Sequence, residues 1–331
     1  MDEVVRKKIL LISPVFFGYE KKIQRELEVQ GWDVTFSDTR PSNTFLTKLL
    51  IRLGFNFLIR NQLKNHHSNI LELIKNNNFS KILFVNPEGF GERFFQALRC
   101  ISPDVDIRLY LWDSIDNKPL IKTTLKFYNK CFTFDRSDAA QLKNFNFLPL
   151  FYSKEYENIN LKLKRDYDFV FIGTVHSQRM KVVEYFRTWA EQQKKNFFYY
   201  LFVQSRIIYW VRRLTDVNFA QYKGYTFSFK SLSVEEILNI FSSTKAVIDI
   251  EHDKQNGLTM RTFEVLASGI KLITTNKDII NYDLYHPDNV YIIDRYNIDF
   301  ESAFLATPFK PYSPEVIGKY KLSSWIESLV E

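Results

Sequence analysis

Two short stretches place chemically capable residues where the chain turns from strand to helix. The first is Gly257-Leu258-Thr259-Met260-Arg261-Thr262-Phe263-Glu264. On a helical wheel Met260, Phe263, Leu266 and Ala267 share a face, and Arg261 and Glu264 lie three apart on its flank. One reading is a surface ion pair worth under about 1 kcal/mol, with Thr259 as a helix cap. The other starts from Glu264 bordering the apolar face, where a carboxylate needs a partner. The two hydroxyls of a ribose suit it. Arg261 and the amides of residues 258–260 would then meet a diphosphate at the helix start.

The second stretch, Gly173-Thr174-Val175-His176-Ser177-Gln178-Arg179, follows the apolar run YDFVFI. Open amides, the hydroxyls of Thr174 and Ser177, His176 and Arg179 compose an anion site. The plainer alternative is a capped helix start with Ser177 as N-cap. Carboxylates suited to general-base work are Glu88, in a Pro-Glu-Gly turn after a strand, and Asp113, at the end of LYLWDS. Asp113 could equally cap the next helix. Glu92 reads as solvated, and His66 and His67 as surface groups.

The elements that must position these residues alternate. KILLISP, Val34–Ser37, KILFVNPEG and DIRLYLWDS read as strands, with a Gly-containing loop at Phe17, Gly18 and Tyr19 after the first. The pattern restarts after Pro149 with YDFVFIGT, FFYYLFV, KAVIDIE, IKLITTN and NVYIID. Alternating strand and helix implies parallel, doubly wound sheets, whose ligands bind beyond the carboxyl ends of the strands. The terminal segment YKLSSWIESLVE carries Leu322, Trp325, Ile326 and Leu329 at helical spacing. Two basic, apolar stretches, 43–67 and 205–214, do not fit the alternation. Each is either a core helix with solvated arginines or a surface helix lying on an anionic membrane or a lipid-linked substrate.

The chain has 331 residues, enough for two domains, and 45% hydrophobic content excludes a disordered chain. A net charge of +7 suits a phosphorylated ligand, a polyanion or an anionic membrane. The basic residues are spread and form no recognition motif, so nucleic acid is not expected. Cys100 and Cys131 make neither a metal spacing nor a disulfide framework, which fits a cytoplasmic protein. No apolar run reaches the ~18 residues of a membrane span.

The order strand, acidic loop, Gly-Leu-Thr-Met-Arg-Thr-Phe-Glu, helix, Gly, strand resembles the donor domain of GT-B glycosyltransferases. The chain is similar to bacterial enzymes of capsule and lipopolysaccharide synthesis related to the CgeB-like group. The resemblance implies a GT-B α/β fold of two Rossmann-like domains facing a cleft. They would be an acceptor-binding domain over 1–150 and a nucleotide-sugar donor domain over 165–315, with a crossover helix over 316–331. It implies Glu264 on the ribose, with Gly173, Thr174, His176, Ser177, Arg179, Gly257, Thr259, Arg261 and Thr262 around the donor. The loop Phe17-Gly18-Tyr19 would face the acceptor. No metal or cofactor is expected, the nucleotide sugar being substrate.

Retaining families carry a second glutamate eight residues before the ribose-binding one. Asn256 stands there, so an inverting reaction is expected, with Asp113 or Glu88 as base. The acceptor would be a glycan or a lipid-linked glycan, reached by a cytoplasmic enzyme peripheral to the inner face of the membrane. An inactive GT-B-like scaffold in polysaccharide assembly is the alternative.

Overall fold

The computed structural model describes residues 6–42, 44, 47, 50, 51, 55–157, 159–175, 179–222, 224–252 and 256–331. The chain divides into two compact units, Met1–Leu150 with Tyr320–Glu331, and Phe151–Lys319.

The first unit is built on six parallel strands: β1 (Lys8–Ser13), β2 (Asp33–Asp38), β3 (Lys81–Val85), β4 (Asp106–Leu111), β5 (Lys130–Thr133) and β6 (Phe145–Phe147). Their order in the sheet is β2-β1-β3-β4-β5-β6. The central strands carry almost unbroken apolar runs because helices cover both faces of a parallel sheet. Ile9 to Ile12 are wholly buried. Helix Tyr19–Val29 places Ile23 and Leu27 on the core and ends before Gly31, whose φ of 90° is left-handed. The segment that seemed to break the alternation is the crossover from β2 to β3. Within it, helix Arg60–Asn76 buries Leu63, Ile70 and Ile74.

The last helix, Leu322–Val330, belongs to this first unit. Trp325 meets Tyr110 edge to face at 4.7 Å, Arg108 donates to the Leu329 carbonyl at 2.6 Å, and Gln30 donates to the Ser323 carbonyl at 2.9 Å.

The second unit repeats the plan with β7 (Tyr167–Thr174), β8 (Phe197–Phe202), β9 (Phe227–Ser228), β10 (Thr244–Asp249), β11 (Lys271–Thr274) and β12 (Val290–Ile292). The order is β12-β11-β10-β7-β8-β9, all parallel. Counted from β7, this is the 3-2-1-4-5-6 order of dinucleotide-binding folds. The first unit's order opens 2-1-3-4-5, the other common doubly wound arrangement, so both units are doubly wound parallel sheets. Strands β5, β6 and β9 had no legible sequence signal, having between two and four residues each.

His66 and His67, expected at the surface, are half-buried. His66 Nε2 lies 2.8 Å from the Asp38 carbonyl, and His67 stacks on Phe90 at 4.8 Å. Burial, with His66 adding, holds the His67 imidazole down to about 4. Its folded value lies below the unfolded one of about 6.5. As pH falls, the unfolded chain therefore takes up the proton first. Stability should decline from about pH 6.5 and level off near pH 4, by on the order of 2 kcal/mol after allowing for the ring's partial exposure. Urea midpoints across this range check it. His67→Phe should flatten the decline, and equal slopes in the two proteins would refute the assignment.

Candidate functional site

In sheets of this kind ligands collect where the strand order reverses, outside the carboxyl ends. In the second unit that point lies between β7 and β10. Gly173 and Thr174 end β7. A Cβ on Gly173 would come within 2.8 Å of the buried Phe171 ring, which explains the glycine. Arg179 opens helix Arg179–Gln192 and donates to the Thr174 carbonyl at 3.0 Å and to the Ile250 carbonyl at 2.7 Å. It thus ties the ends of β7 and β10 together. His176 and Ser177 lie outside the described residues.

The Gly257–Glu264 motif converges on the same strand end. Thr259 occupies the N-cap position of helix Met260–Ala267, yet its side chain makes no capping bond. Its hydroxyl instead donates to Asp249 at 2.6 Å, and the Thr262 hydroxyl donates to the same carboxylate oxygen at 2.8 Å. Asp249 closes β10, so a buried carboxylate pins the helix start to the sheet. Asn276 donates to the carbonyls of Asn256 and Gly257 at 3.0 and 3.2 Å and fixes the approach to the helix.

Arg261 and Glu264 pair at 3.0 Å, but not on the surface: their side chains are 19% and 4% exposed. The Arg261 guanidinium lies 5.3 Å from the Phe241 ring centre. Tyr156, from the turn Lys154–Tyr156, shares a side-chain hydrogen bond with Glu264, and its hydroxyl pKa is raised by burial and by that carboxylate. A further buried cluster lies beside the motif. Glu251, just past β10, pairs with Arg295 and accepts from the Thr275 hydroxyl beyond β11.

In the first unit the reversal lies between β1 and β3. Both loops there carry non-glycine residues in the left-handed region, Phe17 at φ 50° and Asn86 at φ 46°. Such conformations cost about 1 kcal/mol or more each and gather at functional sites. Gly18 follows at φ 78°, and the Glu20 carboxylate accepts the Phe16 amide at 3.1 Å. Phe16 and Phe17 stand exposed, their rings 4.6 Å apart, and Phe16 lies 6.1 Å from Trp112 past β4. Tyr19 begins the following helix. Phe16, Phe17 and Trp112 form an aromatic shelf, and Asp113 follows Trp112 in the chain.

The two candidate bases differ. Asp113 is half-buried and accepts from Asn117 at 3.1 Å. Glu88 is held by Arg40 at 2.8 Å and Lys118 at 2.9 Å. Burial opposes its charge, but the Lys118 ammonium and the Arg40 guanidinium outweigh that and hold it below the usual carboxylate range. Glu92 is paired with Lys126 at 3.2 Å in an exposed position.

Sequence reasoning missed Asp249, Tyr156, Thr275, Arg295, Arg40 and Lys118. Asp249 had a signal, since Ile-Asp-Ile-Glu puts acids at the end of an apolar strand. The others sit in loops without periodicity. Among the described residues no three His, Cys, Asp or Glu side chains gather as a metal site, and no helix is long and apolar enough to cross a membrane.

No protein-family model and no curated protein matches the sequence. Solved structures match over nearly the whole chain. A glycosyltransferase from Rickettsia africae aligns at 10% identity and a TM-score of 0.62, covering 98% of this chain and 97% of that one. A trehalose-6-phosphate synthase, described for glycosyl transfer with retention, aligns at 12% identity and a TM-score of 0.64, with 98% of each chain covered. Anabaena HepE, solved with UDP and glucose, aligns at 8% identity and a TM-score of 0.57, again over 98% of each. The fold class is that of the GT-B glycosyltransferases.

Proposed function

We propose that the protein is a glycosyltransferase that moves a sugar from a nucleoside-diphosphate sugar to a glycan or lipid-linked glycan acceptor. The observation that carries this reading is the convergence on the β10 end of the second unit. There the helix start pinned by Asp249 and the Arg179-tied end of β7 meet at a Rossmann reversal point. The amides that open helix Met260–Ala267 suit the diphosphate. Donor binding exchanges partners: Arg261 leaves Glu264 for the phosphates, and Glu264 takes the ribose hydroxyls. The leaving diphosphate is then stabilised by helix amides and a guanidinium, with no metal required.

Acceptor sugars suit the aromatic shelf of Phe16, Phe17 and Trp112, because aliphatic ring faces pack on aromatic ones. Asp113, which follows Trp112 in the chain, removes the acceptor hydroxyl's proton, and the oxygen attacks the anomeric carbon as its bond to the diphosphate breaks. Asn256, where retaining families carry a glutamate, supports inversion. Surface-polysaccharide assembly on the cytoplasmic side is the setting the resemblance favours.

Thermal unfolding with UDP, GDP, CMP and TDP tests the donor site. A true ligand at about 100 times its Kd should add roughly 2.7 kcal/mol of stability. No shift with any of them would overturn the reading.

A further inference from the structure

The helix Arg206–Thr215 after β8 wears its amphipathicity inside out. Ile207, Trp210, Val211 and Leu214 are 74, 60, 52 and 83% exposed. At 100° per residue they fall on one face, the i, i+3, i+4, i+7 stripe that a globular protein normally turns inward. The inward side is made by Ile208 and Tyr209, which pack on the core of the second unit, together with arginines. Arg212 donates to the Val175 carbonyl and Arg213 to the Ala220 carbonyl at 3.0 Å. Arg206 reaches over the Phe229 ring at 5.6 Å, and that ring is itself 37% exposed. Along the helix there are three arginines and no acid. An exposed stripe of this size, contiguous and rimmed by cations, marks a docking face rather than scattered surface apolars.

We propose that this face lies in the head-group region of an anionic lipid bilayer. The helix axis would run along the membrane plane, with the four apolar side chains in the acyl boundary and Arg206 at phosphate level. Two observations choose lipid over a protein groove. Trp210 sits at the edge of the stripe, where an indole suits the interface between apolar and wet regions. Arg206 stands exposed on the flank beside Trp210, about 40° away by the same 100° spacing, and is the charge that anionic head groups complement. The +7 net charge of the chain acts in the same sense. This inference does not depend on the enzymatic reading.

Flotation with phosphatidylcholine vesicles, with and without phosphatidylglycerol, is the test. The protein should float with the anionic vesicles and less so as salt rises, since exposed charges are screened over about 8–10 Å at ordinary ionic strength. The double variant Trp210→Ser/Leu214→Ser removes only exposed groups, so it should keep the parental melting temperature and nucleotide binding. Its vesicle partitioning should fall roughly tenfold or more. Flotation of the double variant like the parent, equal recovery with neutral vesicles, or no flotation of the parent would each overturn the proposal. A parental dimer in sedimentation that the double variant dissolves would overturn it too, assigning the face to a second copy of the chain.

Discussion

Asp113→Ala should lower turnover by about 10²–10⁴-fold while leaving nucleotide affinity nearly unchanged, the size general-base catalysis typically contributes. The argument rests on a contrast. Glu88 faces two cations at 2.8 and 2.9 Å, and a carboxylate so stabilised is a weak proton acceptor. Asp113 lies two residues beyond the strand end at Leu111, is half-buried, and has a neutral amide as hydrogen-bond donor. Among the described residues no ion pair holds it. Glu88→Gln should therefore act through stability and loop geometry, not through the pH profile of turnover. NMR of the product's anomeric centre decides the stereochemistry. A trehalose-6-phosphate synthase of the same fold is described as transferring with retention, so the fold alone does not choose. A product keeping the donor's configuration would refute both inversion and the base role of Asp113.

Glu264→Ala should cost about 3 kcal/mol of stability, the low end for removing one partner of a buried pair. It takes the carboxylate partner from the Arg261 guanidinium, 19% exposed, and removes an acceptor from the Tyr156 hydroxyl. Glu264→Gln keeps the shape and an acceptor, so it should unfold much closer to the parent. That milder variant isolates binding. A ribose held by the carboxylate loses charge-assisted bonds worth about 1.5–3 kcal/mol, or at least tenfold in Kd for a nucleoside diphosphate. Inorganic diphosphate should bind as before. If titration calorimetry finds Glu264→Gln binding nucleoside diphosphates like the parent, Glu264 serves only to fasten the helix to the Lys154–Tyr156 turn.

Much of the architecture is written in the sequence because buried parallel strands leave long apolar runs. KILLIS, KILFV and KAVID stand out for that reason, and the restart after Pro149 falls one residue from the observed division at Leu150. What escaped was set by tertiary contact. Thr259 sits at a position of capping geometry, and only the nearness of Asp249 turns its hydroxyl toward the sheet. The Arg261–Glu264 spacing announces a pair but not its burial, which follows from the Tyr156 turn packing over it. The 205–214 stretch shows apolar and basic residues alternating at helical period, yet which side faces water depends on carbonyls at Val175 and Ala220 that no local pattern reveals.

The helix Leu322–Val330 completes the first unit although the chain makes it only after the whole second unit. During synthesis, β1 to β6 emerge first and the whole second unit follows before Trp325 can reach Tyr110. Until then the nascent first unit waits with an aromatic ring and the Arg108 guanidinium open to the surroundings, the kind of surface that draws chaperones or neighbouring chains. The second unit suffers no such delay, since its six strands are contiguous in the chain. The order of maturation is thereby reversed: the half translated later is ready earlier, and the half translated earlier is sealed by a segment made after the whole of the other.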